Sequence, residues 1–299
     1  MVHTRWMLVA AVVGCGGPPA RAAHPGAGGA PLSLAADAQL IAIPAGRYVA
    51  GSTPEERATA YDDYQATAGT DVARERRWFE REEERHIARL PAFRIDLLPV
   101  TQAQYAEYVA AGHAPPPAID EAAWQAQGFA QDHATEVARF VWQGGRPPPG
   151  REDHPVVLVT WAEAAGYCAW RGTLRHATRR LPTSAEYEKA ARGEQGQAYP
   201  WGNTFEPARL NSAVGGPRDT VPVGSINEGA SPFGVLDLAG NVFQWTATPA
   251  RGEPGDQMLV KGSAWEDLGG LGRGAAGHGR PRTARHVIVG FRCAADAGT

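Results

Sequence analysis

Ser231–Thr246 reads SPFGVLDLAGNVFQWT, and this stretch decides the fold. Pro232, Gly234, Gly240 and Asn241 punctuate it, so neither a long helix nor a clean two-residue alternation fits. The backbone must turn repeatedly, with glycine supplying positive φ where a turn needs it. Such a segment leaves carbonyls pointing outward, and something else must engage them. A hard cation is one answer, because Asp237, Gln244 and nearby backbone oxygens are the ligand types that calcium takes. A buried irregular turn anchored by Phe243 and Trp245 is the other, since one carboxylate is a thin donor set for calcium.

The rest of the chain narrows the class. A length of 299 residues accommodates one large domain or two small ones. Hydrophobic residues make up 43%, enough for a core and against global disorder. Thirty-six Gly and twenty-four Pro favour a loop-rich fold over a helix bundle. A formal net charge of −3 gives no support for nucleic-acid binding.

Three helix starts are legible as capping boxes: Thr101 with Gln104, Thr160 with Glu163, and Thr183 with Glu186. In the second helix Ala164, Ala165 and Cys168 share a face, which buries the thiol. Phe93–Val100 reads as a strand, and 53–90 as a charged, solvated helical segment with an apolar side at Tyr61, Tyr64, Trp78 and Phe79. Trp124, Phe129, Phe140 and Trp142 suggest a subdomain packed on the main core. The basic run Arg171–Arg180 reads as a solvated loop or, failing that, an anion site.

The N-terminus, MVHTRWMLVAAVVGCGG, combines Arg5, a short apolar run and a small-residue processing step. Residues 1–15 therefore read as a signal peptide, and Val-Val-Gly-Cys resembles a bacterial lipobox with Cys15 as the lipidated residue. A generic secretory peptide and a misplaced start are the other readings. Residues 16–40, rich in Gly, Ala and Pro, read as a flexible tether to a domain over 41–299.

LDLAGNVFQWT resembles the Gly-Asn-Val-Trp-Glu-Trp signature of the formylglycine-generating enzyme family, also called the sulfatase-modifying-factor family. IPAGRYVAGS, FRIDLLPVTQAQYAEYV, HPVVLVTWAEAAGYCAW, RRLPTSAEYEKAARG, YPWGNTFEPARLN, VPVGS and VGFRCAAD are similar to other family segments, in the same order. Together they cover nearly all of 41–296. The resemblance implies an α+β, loop-rich, C-type-lectin-like fold with few short strands and about three short helices.

It also implies sites. Members that make formylglycine oxidise a sulfatase cysteine with oxygen and copper, held by two cysteines, because soft thiolates select Cu(I). In VKGSAWEDLGGLGRG, Glu266 and Leu271 stand where those cysteines are expected, so copper is not expected here. The groove positions are then Ser263, Glu266, Asp267, Leu271 and Arg273, with Glu266-Asp267 a carboxylate pair able to polarise a ligand or hold a hard cation. The family's calcium patterns map onto Asp237, Gly240, Val242 and Gln244, and onto Asn211 and Ser212 with Asp219 as the nearest further acid. Cys168 and Cys293 occupy positions that are joined in some members; two buried thiols is the alternative.

The expectation is an exported family member, lipid-anchored at the bacterial cell envelope or else periplasmic or secreted, that does not generate formylglycine. Its groove would bind a peptide, a glycan or an envelope protein, with calcium as a structural ion. The alternatives are an oxidase or tailoring enzyme acting on a cysteine peptide or small molecule, and a structural lipoprotein of an envelope complex.

Overall fold

The computed structural model describes residues 39–298, apart from 130, 175 and 251–255. The expected signal peptide, the lipidated Cys15 and nearly all of the tether lie outside the described residues.

Three sheets carry the chain. Strands β1 (Leu40–Ile43), β4 (Phe93–Asp96), β5 (Arg179–Arg180) and β10 (Ala294–Asp296) form an antiparallel sheet in the order β1-β4-β10-β5. Strands β2 (Gly46–Ala50) and β3 (His86–Leu90) make a separate antiparallel pair. Strands β6 (Phe243–Pro249), β7 (Gln257–Lys261), β8 (His278–Pro281) and β9 (Val289–Gly290) form the sheet that carries the site, ordered β8-β7-β6-β9. Its β6–β9 pair is parallel, which the long irregular connections between short strands permit.

Helices α3 (Gln102–Ala110), α5 (Trp161–Thr173) and α6 (Ser184–Arg192) begin at the three expected capping boxes. In each, the threonine oxygen accepts from the third helical amide while the Glu or Gln returns to the cap amide. A fourth box, Thr53 with Glu56, starts α1 (Pro54–Ala68). With α2 (Val72–Glu75), α4 (Glu121–Ala126) and one π-helical turn at His133–Val137, the described residues hold more helix than the three expected. α2 and α4 are too short to show a period in sequence.

The main core surrounds the Cys168–Cys293 disulfide, whose Cα atoms lie 5.6 Å apart across 125 residues of sequence. Trp124, Phe140 and Trp142 belong to this core, with Phe129 packed on it, so they form no subdomain of their own. A second cluster joins Phe93, Ile95, Tyr187, Val235 and Leu238. A third joins Ala60, Tyr61, Tyr64, Ala73 and Phe79 of the 53–90 segment to Ala276, with Leu268 and Leu271 packed against it. That segment is therefore docked by the apolar side expected of it, Tyr61, Tyr64, Trp78 and Phe79. The basic run is also corrected: Arg171 is buried and paired with Glu107 at 2.7 Å, and Arg179 is buried against Asp96 at 3.5 Å. Arg180 bridges Glu186 and Asp296, both at 2.7 Å. Carboxylates on neighbouring elements draw in arginines that local sequence places in water.

Candidate functional site

The turn-rich stretch from Ser231 feeds β6. Asp237 and Asn241 take left-handed backbone conformations (φ 50° and 64°), which their short polar side chains tolerate better than most. Gly240 could not be otherwise: a Cβ there would stand 2.6 Å from the Asn211 carbonyl oxygen. Its amide donates to Gly262 O at 2.7 Å and to Ser263 Oγ at 3.0 Å, which ties the turn to the loop after β7. Ser263 is thereby a buried bracket (φ 63°) rather than a free nucleophile.

The outward carbonyls meet a guanidinium. Arg292, fully buried beside Cys293, donates to Asp96 O (3.0 Å), Leu97 O (3.1 Å), Leu236 O (2.7 Å), Asp237 O (2.7 Å) and Gln244 Oε1 (2.5 Å). Gln244 Nε2 donates to Asp237 O at 2.7 Å, and Asp237 Oδ2 accepts from Gly224 N at 2.8 Å. Burial holds the Asp237 carboxyl above the usual carboxylate range. The first expected calcium set, Asp237, Gly240, Val242 and Gln244, is thus brought together, with its side-chain oxygens already engaged. In the second, Asn211 Nδ2 donates to Asp219 O at 2.8 Å while Asn211 Oδ1 is buried with no hydrogen-bond partner. Ser212 O accepts from Gly216 N at 3.1 Å. The Asp219 carboxylate is turned to Arg151 (2.9 Å) and Arg139 (3.6 Å). Among the described residues, no three His, Cys, Asp or Glu side chains gather as a metal cluster.

The loop after β7 carries the acid pair. Glu266 accepts from Gln131 Nε2 through both oxygens at 2.9 Å. Asp267 Oδ2 accepts from Ala264 N at 2.7 Å. Burial, and then the adjacent Glu266 charge, push Asp267 up to about 8, and burial raises Glu266 as well. At neutral pH Asp267 keeps its proton and can donate a hydrogen bond. The cation acting on the pair is Arg280 of β8, whose own pKa burial lowers. Arg280 makes no ion pair or side-chain hydrogen bond among the described residues, and its Nε is buried without a partner. Its guanidinium lies over Phe129, 5.9 Å from the ring centroid. His278 and His286 complete the surroundings. Both are held neutral by burial and by Arg280, with His278 against Phe243 (4.6 Å) and His286 against Phe129 (3.9 Å).

Two expected groove residues go elsewhere. Leu271 packs on the α1–α2 cluster. Arg273 pairs with buried Glu82 at 2.9 Å, and its field acts on Asp63 and Tyr199 rather than on the acid pair. Gln131, His278, Arg280 and His286 escaped the sequence reading. His278 and Arg280 alternate on one strand, a two-residue spacing that places both on one face, and that signal was legible. Gln131 and His286 carried none, because their approach is purely tertiary.

Several known proteins share this architecture. PvdO from Pseudomonas aeruginosa superposes with a TM-score of 0.64 at 20% identity, covering 86% of this chain and 94% of that one, a likeness of fold alone. The inactive Cα-formylglycine-generating enzyme 2 of Bos taurus is 39% identical over 188 residues, which is 54% of this chain and 58% of that protein. Hercynine oxygenase of Mycolicibacterium smegmatis is 30% identical over 260 residues, 76% of this chain and 58% of that protein. The chain thus spans less than two thirds of the length of either curated relative. The sulfatase-modifying factor enzyme 1-like domain matches residues 33–297, and the chain belongs to that family.

Proposed function

We propose that this domain generates no formylglycine and instead binds a ligand at its Glu266–Asp267 site. One observation carries the reading: what occupies the two positions where thiolates are expected. Glu266 is a hard oxygen donor held by Gln131, and Leu271 is an apolar anchor for α1–α2. Neither suits Cu(I), which soft sulfur ligands select, so the residues present do not fit that ion. Cys168 and Cys293 are no substitutes, because they are joined to each other in the core. The Bos taurus relative is itself described as inactive, which supports the same reading.

The proposed ligand is a peptide, glycan or envelope protein, met outside the cytoplasm. The disulfide supports an oxidising compartment, and the Val-Val-Gly-Cys step supports a lipid anchor on Cys15. Mass measurement of the mature protein checks the anchor: a diacylglyceryl adduct on Cys15 is expected, and an unmodified Cys15 removes it. The activity is tested by incubating a Cys-x-Pro-x-Arg peptide with the protein, Cu(I), oxygen and reductant, then weighing the peptide for aldehyde. No turnover is expected. Copper-accelerated turnover that survives Glu266→Ala would overturn the reading.

A second reading, a tailoring enzyme of another kind, is favoured by Asp267 alone. A carboxyl pushed up to about 8, within the field of Arg280, is equipped to act as a general acid. Redox metal retained through purification would favour this reading over simple binding.

A further inference from the structure

Strands β2 and β3 pair with no third strand beside them among the described residues. The outer side of β2 is occupied. Val49 N donates to Glu194 O at 3.1 Å, and a Cβ on Gly196 would stand 2.7 Å from the Val49 side chain. That amide points away from β3, so Val49 and its partner Ile87 form a non-hydrogen-bonded pair, as do Arg47 and Arg89 two residues along. The N–H and C=O groups of Ile87 and Arg89 therefore face the far side of β3. Among the described residues, neither makes a backbone hydrogen bond on that side. β3 is an open edge.

The outward face of this ribbon is chemically selective. Arg47 and Arg89 stand directly opposite each other, both exposed, in the kind of pair that brings side chains closest. Neither has an ion pair or a side-chain hydrogen bond among the described residues. Like charges directly opposed across two strands are destabilising. Beside them on the same face lie Val49 and Ile87, and Ile87 is 52% exposed. The other face, with Tyr48 and Ala50 buried, is turned to the interior. An incoming strand thus meets backbone donors and acceptors along the edge, two guanidinium groups and an adjacent apolar patch.

Charge decides which strand fits. A cationic edge turns away strands that bring no acid. A second copy of β3 brings His86 and Arg89 and no acid, so self-pairing adds like charge to like. Residues 1–38 offer a single acid, Asp37, against Arg5 and Arg21, so this chain's own N-terminal stretch is no better match. An acidic strand from another protein relieves the Arg47–Arg89 repulsion as it pairs. On such a strand the residue opposite Arg89 is acidic, and the one two places away, opposite Ile87, is apolar.

We propose that β3 is a docking edge for an extended acidic segment of a partner protein, which adds as a third strand to β2–β3 independently of the Glu266–Asp267 site. Fluorescence anisotropy on the full chain tests it, with the peptide Gly-Thr-Glu-Thr-Val-Thr-Gly carrying a neutral fluorophore. Two comparators separate charge from strand pairing: the same peptide with Lys for Glu, and the same peptide N-methylated at its Glu and Val amides. The acidic peptide is expected to bind saturably, and each comparator about tenfold more weakly. Arg89→Glu is expected to weaken the acidic peptide about tenfold, because it turns one attraction into a repulsion and occupies Arg47. This side chain is exposed and the new Glu gives Arg47 a partner, so the variant keeps its fold, which a melting curve checks. The proposal is overturned by the absence of saturable binding, by either comparator binding as tightly, or by affinity that survives Arg89→Glu. Sedimentation with phosphatidylglycerol–phosphatidylcholine vesicles, lost in Arg89→Glu, from a protein that ignores the peptide would assign the face to a lipid surface instead. Peptide binding lost in Glu266→Ala and kept in Arg89→Glu would assign the peptide to the other site and overturn the proposal equally.

Discussion

Arg280 lies on β8 and Arg292 just after β9, the two outer strands of one sheet, and burial lowers the pKa of both. Their surroundings differ completely. Arg292 meets four backbone carbonyls and the Gln244 carboxamide, so nearly every donor of its fork is used. Arg280 has an orphaned Nε, a distant pair of acids and a phenylalanine face. Placing a guanidinium in a low-dielectric interior costs several kcal/mol, and that cost must be offset by acceptors or left standing. Where it is offset, the arginine acts as an internal cation that closes a turn. Where it stands, the charge is left to the field of Glu266 and Asp267 and to the face of Phe129.

The largest expected effect separates the two directly. Arg292→Met leaves five acceptors unmet and should cost on the order of 5 kcal/mol, or prevent folding altogether. Arg280→Met should stay within about 1 kcal/mol, since few bonds are lost. Denaturant unfolding of both variants decides it, and equal losses would show that the two arginines are held alike.

A smaller effect sharpens the Arg280 side. Asp267 titrates near 8 in the folded protein and near the ordinary carboxylate value when unfolded. Between those values the folded state holds the proton that the unfolded state has released, so stability falls as pH rises from about 4 to about 8 and is flat beyond. Asp267→Asn removes that slope. The wild type should lose about 1–2 kcal/mol relative to the variant across this window, a figure reduced for partial exposure. Parallel melting curves at pH 5 and pH 8 would show that Asp267 is not the group responsible.

The smallest effect concerns metal. We propose a structural calcium ion at Asn211 and Ser212, where Asn211 Oδ1 lacks a donor, rather than at the Asp237 set that Arg292 already serves. Saturating calcium should raise the melting temperature by the equivalent of under about 1 kcal/mol, and Asn211→Ala should remove that increment. Loss of the increment in Asp237→Ala alone would return the ion to the turn beside Arg292.

Local chemistry made much of this legible. The capping boxes at Thr101, Thr160 and Thr183 announce their helices because cap and partner lie three residues apart. The turn residues of 231–246 announced an irregular segment whose carbonyls needed a partner, and the family resemblance pointed to the Cys168–Cys293 pair that the structure joins. Helix α1 was half legible: its aromatic side was visible, but not that Leu268 and Leu271 receive it.

What the sequence by itself determined is the set of local answers: where helices begin, where the backbone must turn, and which positions lack a thiolate. Only the tertiary structure decided who answers whom. The partner of the Leu236 and Asp237 carbonyls is Arg292, some fifty residues downstream, and the cation whose field reaches both Glu266 and Asp267 is Arg280 rather than the nearer Arg273. Capping and turn preferences act over three or four residues of chain and are written into near neighbours. Ion pairing and burial act through space, over distances that chain separation does not reveal, and so they appear only once the chain has folded.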